Sequence, residues 1–216
     1  MAFDHIMPSS HAVPRSSALA RLANVVIDPR ASFRDVASDP RWLVAFLGVI
    51  LLRFASLFVF YQPSTTPEKL VVGLLFQVVS TAPLLLALAL VLWNASRACD
   101  VRVTWPVAFD ITVHVYFAYT VATVAIASVA GAVLPASADV DLRNPPFTSL
   151  GALAPADGVV RTLLAHVDVR LAYALVLVSL GLRAGVPGVR VGQVALAAVS
   201  GYGVLLAFTL ISVAWR

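Results

Sequence analysis

Five long apolar stretches occupy most of the chain beyond residue 42: residues 43–61, 70–93, 105–134, about 167–186, and 191–215. A helix needs roughly 20 residues to cross the hydrocarbon core of a bilayer, and the first, second and fifth stretches fit that length. The third, at 30 residues, is overlong and is expected to tilt or to extend beyond the lipid. The fourth is the weakest. Its uncharged interior, between Arg170 and Arg183, is 12 residues long, a length that also suits a re-entrant segment. It is expected to span, with both arginines snorkelling outward. Pro83, inside the second stretch, is a candidate kink.

Ahead of these stretches the pattern changes. Residues 1–16 are polar and contain Pro and Ser, and they read as a disordered tail. From Ser17 to Ile27, Ala18, Leu19, Leu22, Val25 and Val26 recur at helical spacing, with Arg21 and Asn24 on the opposite face. That spacing predicts an amphipathic helix lying on a membrane surface. Asp28-Pro29 stops it and starts another, because Asp is a good N-cap and Pro suits the first helical position. Asp39-Pro40 repeats the device after a short helix carrying Phe33 and Val36. Trp42 then falls where an indole prefers the headgroup boundary. Leu19, Leu22, Val26, Phe33 and Trp42 are therefore the expected membrane-interface residues. The organisation is a tail (1–16), interfacial amphipathic helices (17–42) and one five-span domain (43–216).

Composition agrees with lipid as the solvent. The chain is 60% hydrophobic and 12% charged, with a mean hydropathy of +0.91. Soluble domains carry about 25% charged residues, and a soluble chain of this size still exposes about a quarter to a third of its surface. The expected fold class is all-α, a polytopic bundle of five transmembrane helices with an interfacial N-terminal helix. Residues 1–16 offer no apolar core for a cleavable signal, so the first span is expected to act as the insertion signal.

The net charge of +4 comes from fourteen Arg and one Lys against eleven acids. No clustered basic face suggests nucleic acid; the excess follows the positive-inside rule. With the N-terminus in the cytoplasm, the inner side collects Arg15, Arg21, Arg30, Arg34, Arg41, Arg97, Arg102, Arg183 and Arg190. The outer side collects Lys69, Arg143, Arg161, Arg170 and Arg216. This asymmetry predicts a cytoplasmic N-terminus and, after five spans, an external C-terminus. The Arg-for-Lys bias with abundant Ala and Val suggests a GC-rich bacterium and its inner membrane. The outer connection, 135–166, holds apolar patches around Leu150–Leu153 and Val159–Leu164 that suit the outer leaflet. Asn94-Ala95-Ser96 matches a glycosylation sequon but falls on the inner side.

Catalytic patterns are missing from the sequence. It has no zinc-hydrolase H-E-x-x-H, no G-x-S-x-G elbow and no phosphate-binding loop. Asp157-Gly158 with Arg161 lacks the acidic residues that a lipid-headgroup transferase would need to hold metal. The lone Cys99 excludes an internal disulfide and a multi-Cys metal site. No enzyme activity, metal or cofactor is expected.

What remains is a set of ionisable residues inside the apolar stretches, each costing ~2.5–3.5 kcal/mol on insertion scales. Arg53 lies about 15 Å into the first span, Asp110 ~8 Å and His114 ~13 Å into the third, at 1.5 Å per residue. Asp110 and His114 share one helix face. Because side chains lean toward the helix N-terminus, an Arg53–Asp110 ion pair with His114 as neighbour is expected, joining the first and third spans; the alternative is that Asp110 snorkels alone to the cytoplasmic interface and Arg53 bonds backbone carbonyls. Gly181, Gly185 and Gly201 are the expected helix-packing positions, since small residues let membrane helices approach closely. They are also candidates for a homo-oligomer face or a contact with other membrane proteins.

Pro29-x3-Phe33-x2-Val36-x3-Pro40-x-Trp42, just before the first span, resembles the N-terminal signature of the Yip1 family of five-span membrane proteins, in particular its bacterial branch. Thr148-Ser149-Leu150, Leu163-Leu164, Val167-Asp168, Leu175, Leu177 and Gly181-Leu182 resemble the family's second half, and the likeness runs from Leu22 to the C-terminus. One departure lies in the third span, where His114 to Thr120 has Tyr116 and Tyr119 but lacks the family's Pro. The resemblance implies a helical bundle with a cytoplasmic N-terminus and a non-enzymatic scaffold that organises membrane or protein partners. In eukaryotic members it also implies binding of small Rab-type GTPases, which is not carried over to a bacterium. The alternative function is a small transporter or channel subunit using Arg53, Asp110 and His114.

Overall fold

The computed structural model describes residues 17–60, 66–133, 148–150, 164 and 167–214. The predicted tail (1–16) and most of the outer connection, with both of its apolar patches except Leu150 and Leu164, lie outside the described residues. Among the described residues the protein is all-helical: α1 (Ala18–Ile27), α2 (Pro29–Ser38), α3 (Trp42–Phe60), α4 (Pro67–Ala98), α5 (Trp105–Val133), α6 (Val169–Gly185) and α7 (Val191–Ala214). A single antiparallel bridge, Ser149 with Asp168, is the extended pairing described.

Among the described residues two helices are long and apolar enough to cross a membrane: Val71–Ala98 within α4, and Trp105–Val133, which is α5. The fourth apolar stretch forms a shorter helix of 17 residues, about 25 Å at the usual rise. Pro83 stands inside α4, which continues through it. The third stretch is helical for 29 residues, as its length foretold.

Local chemistry explains the boundaries of the arm. Ser17 caps α1 by accepting from the Ala20 N–H at 3.1 Å, and Asp28 caps α2 by accepting from the Ala31 N–H at 3.2 Å. Pro29 occupies the first position of α2, where its missing N–H costs nothing. The two short helices then fold onto each other and onto the bundle.

Their apolar faces are turned into the protein, and here the expectation is corrected. Phe33 is 1% exposed and Val36 fully buried, in one core cluster with Val103, Val107, Ile111, Leu177 and Leu182. Leu22 and Val25 are buried as well, so Leu22 and Phe33 do not face lipid. Arg21, assigned to the polar face of α1, is also buried; its Nη1 donates to the Asp39 carbonyl at 2.5 Å and its Nη2 to Asp39 Oδ2 at 3.4 Å. The reason is tertiary. Helical spacing marks an apolar face but cannot say whether lipid or protein covers it. Leu19, Val26 and Ile27 remain exposed along the far edge of α1, and Trp42 is partly exposed.

Phe33 is the residue that docks the arm. Phe33→Ala is expected to cost about 3–4 kcal/mol, because it leaves a cavity against Gly181 and Ile111. Limited proteolysis should then cut between α1 and α3 faster than in the wild type. An unchanged cleavage rate would mean that the arm is held elsewhere.

α5 sits at the centre, packed against α3, α4 and α6 as well as the arm. Its buried side chains include the polar Asp110, Thr112, His114 and Thr120. The outer faces are apolar: Leu43, Leu47 and Leu51 on α3, Val71, Val72, Leu75, Phe76 and Val79 on α4, and Leu196 and Val199 on α7 are all more than half exposed. A soluble monomer rarely presents so much contiguous apolar surface, whereas a bilayer favours it.

Candidate functional site

The first polar centre lies where α3 and α5 begin. Asp110 is fully buried, and its Oδ2 accepts the Arg41 N–H at 2.7 Å. Arg41 immediately precedes α3, so a carboxyl group from α5 caps a helix whose own first N–H groups have no partner one turn back. His114, one turn further along α5, places Nδ1 2.9 Å from Asp110 Oδ1 and 3.0 Å from the Asp110 carbonyl oxygen. With Nδ1 as the donor, its single hydrogen points to the carbonyl and leaves Oδ1 buried without a directed hydrogen bond. Trp42, Phe109, Trp105 and Trp93 form an aromatic ledge around this end, with ring centroids 5.3–6.2 Å apart. Beside it a concavity of about 560 Å³ is lined by Trp93, Arg97, Asp100, Arg102 and Trp105, with the Arg97 guanidinium 4.5 Å over the Trp93 ring.

Arg53 is elsewhere. Its Nη1 donates to Thr81 Oγ1 at 3.0 Å and to Tyr116 Oη at 3.1 Å, tying α3 to α4 and α5. Arg53 and Asp110 therefore do not pair, and no ion pair joins them among the described residues. Depth explains the miss. Asp110 lies level with Arg41, twelve residues before Arg53, and that is about 18 Å of helix, beyond the reach of an arginine side chain. The depth at which each apolar stretch begins does not fix the register of the two spans; the cap of Asp110 on the Arg41 N–H does. Thr81, one of two adjacent hydroxyl residues with Ser80 in an apolar stretch, is a usable signal for Arg53's partner. Tyr116 was visible only as an aromatic in a span.

The third centre is at the start of α6. Arg170, 4% exposed, bonds through Nε to Asp168 Oδ2 at 2.8 Å, and Asp168 Oδ1 also caps the helix at the Leu171 N–H. The arginine is held inside the fold by this pair and lies 5.9 Å from the Tyr119 ring centroid, so the expected snorkelling is corrected. Between this centre and Arg53 lies an apolar cavity of about 430 Å³ bounded by α4, α5, α6 and α7. Its walls include Leu88, Ala174, Leu175 and Val178, together with Tyr116, Tyr119 and Tyr202. Tyr116 and Tyr119 stack with centroids 6.2 Å apart.

The glycines separate into three cases. A Cβ on Gly181 would stand 2.7 Å from Ile111 Cγ2. On Gly185 it would meet Val107 at 3.3 Å, and on Gly201 its nearest neighbours are at 3.8 Å. Gly48, which the spacing did not single out, is nearly as tight as Gly181, at 2.9 Å from Phe117. No group of three or more His, Cys, Asp or Glu side chains forms a metal cage among the described residues. Comparison of the chain with protein-family models, with curated proteins and with solved structures finds no match.

Proposed function

We propose that this chain is a five-span integral membrane protein of the Yip1 type, a non-enzymatic scaffold of the bacterial inner membrane with its N-terminus in the cytoplasm. The observation that carries the scaffold reading is how the expensive polar groups are used. Asp110 caps α3, Arg53 ties α3 to α4 and α5, and Arg170 is fastened to the Asp168 cap of α6. Each works as a bolt between or within helices, at three separate places. The positive-inside count also supports the orientation. Arg21 and Arg170 are drawn into the fold, so each side loses one cation and the inner excess is unchanged.

Flux and scaffolding make different demands on these residues. Purified protein reconstituted into liposomes is expected to give no ion or proton flux above empty vesicles. A flux abolished by Asp110→Asn or His114→Ala would replace the scaffold by a transporter. The lipid-facing part of the arm is its exposed edge, because deleting residues 17–27 would also remove the buried Leu22 and Val25. Leu19→Ser with Ile27→Ser is expected to leave stability unchanged, while weakening association of the arm with the inner leaflet. Spin-label depth measurements on α1 test this, and an unaltered depth would remove the lipid-contact role.

A further inference from the structure

Arg53 is the feature that a purely structural role leaves unfinished. Both hydrogens of Nη1 are used, on Thr81 and Tyr116. No carboxylate stands within 4.0 Å of its guanidinium among the described residues, whereas Arg21, Arg41 and Arg170 each have one. The Nε–Nη2 edge is left, and that edge is the fork that grips a carboxylate through two parallel hydrogen bonds. A partly buried cation without a counter-charge, among apolar helices, favours an anionic ligand.

The surroundings narrow the ligand. Tyr116, held by Arg53, is also a wall of the 430 Å³ cavity, and Leu84, one turn beyond Thr81 on α4, is another. Both groups that clamp Arg53 thus belong to helices that line the cavity. Apart from Thr112 and the three tyrosines the lining is Leu, Val, Ala and Gly. The volume is at the lower end of ligand pockets, ~300–1,000 Å³, and suits one flexible chain better than a two-tailed lipid. We propose that this cavity binds a free fatty acid, with its acyl chain among α4–α7 and its carboxylate on the open edge of Arg53.

The test uses the full chain in detergent, with the fluorescent fatty acid cis-parinarate as probe. Three competitors are compared: palmitate, hexadecanol (the same chain without charge) and phosphatidylglycerol. Palmitate is expected to displace the probe at a concentration at least tenfold lower than either of the others. Arg53→Gln should weaken palmitate at least tenfold and bring it level with hexadecanol. Ala174→Phe, which fills the cavity without touching Arg53, should abolish displacement by both. Equal displacement by palmitate and hexadecanol in the wild type would overturn the proposal, even if Arg53→Gln does not fold. So would unchanged palmitate binding in a folded Arg53→Gln protein. Phosphatidylglycerol matching palmitate would assign the site to a phospholipid and end the fatty-acid claim. The flux assay is independent of all these outcomes, so either proposal can fail alone.

Discussion

Asp110→Ala is expected to lower the stability of the protein by about 2–4 kcal/mol. The change strands the Arg41 N–H at the start of α3, takes away the group beside His114, and opens a void at a fully buried position. Asp110→Asn should cost about half as much: its amide oxygen can still accept from Arg41, but its NH2 sets a donor against His114 Nδ1, where the carboxylate oxygen stood 2.9 Å away. Arg41→Ala is the control. It keeps the backbone N–H and removes only a half-exposed side chain and its 2.8 Å contact with Asp39, so it should change stability by less than about 1 kcal/mol. Thermal unfolding of the three variants in detergent gives the order directly. If Asp110→Ala melts with the wild type, the cross-helix cap contributes nothing and the junction of α3 with α5 rests on packing alone.

The second large effect is steric. Gly181→Ala places a methyl group 2.7 Å from Ile111 Cγ2, 3.1 Å from Ile111 Cγ1 and 3.2 Å from Phe33 Cδ1. Ile111 is fully buried and Phe33 nearly so, so neither can yield toward solvent, and overpacking should cost about 1–3 kcal/mol. Gly201→Ala meets only ordinary contacts, and by helix propensity should be neutral or gain up to about 1 kcal/mol. The steric account has its own check, because Ile111→Ala removes the colliding atoms. Combined with Gly181→Ala it should cost less than the sum of the two single changes, with a coupling of ~0.5–3 kcal/mol. Strict additivity would mean that Gly181 matters for some reason other than the approach of α6 to α5.

Much of this architecture is written locally. Asp28-Pro29 reads as the end of one helix and the cap of the next because both signals act within one turn. The long apolar stretches read as helices because length and hydropathy need no partner to be recognised. Asp39-Pro40 shows where the local rule stops. It ends α2, but the N–H that follows is taken by Asp110, 69 residues away. Gly181 and Gly201 look alike in the sequence and differ by more than 1 Å in the room around them. Leu22 and Leu19 share the expected apolar face of α1, yet one is buried in the bundle and the other points outward.

The sequence by itself determined the helices, their breaks, the lipid-compatible surface and the list of costly charges. These depend on spacing along the chain and on the price of putting charge in an apolar medium. Tertiary structure alone decided which charges meet. A shift of a few residues in helix register moves a side chain by several ångströms, more than a hydrogen bond tolerates. Register is set by the cap at Arg41, the fit of Phe33 against Gly181 and the reach of Arg53 to Tyr116. That is why Arg53 stands apart from Asp110 and is held instead by Thr81 and Tyr116.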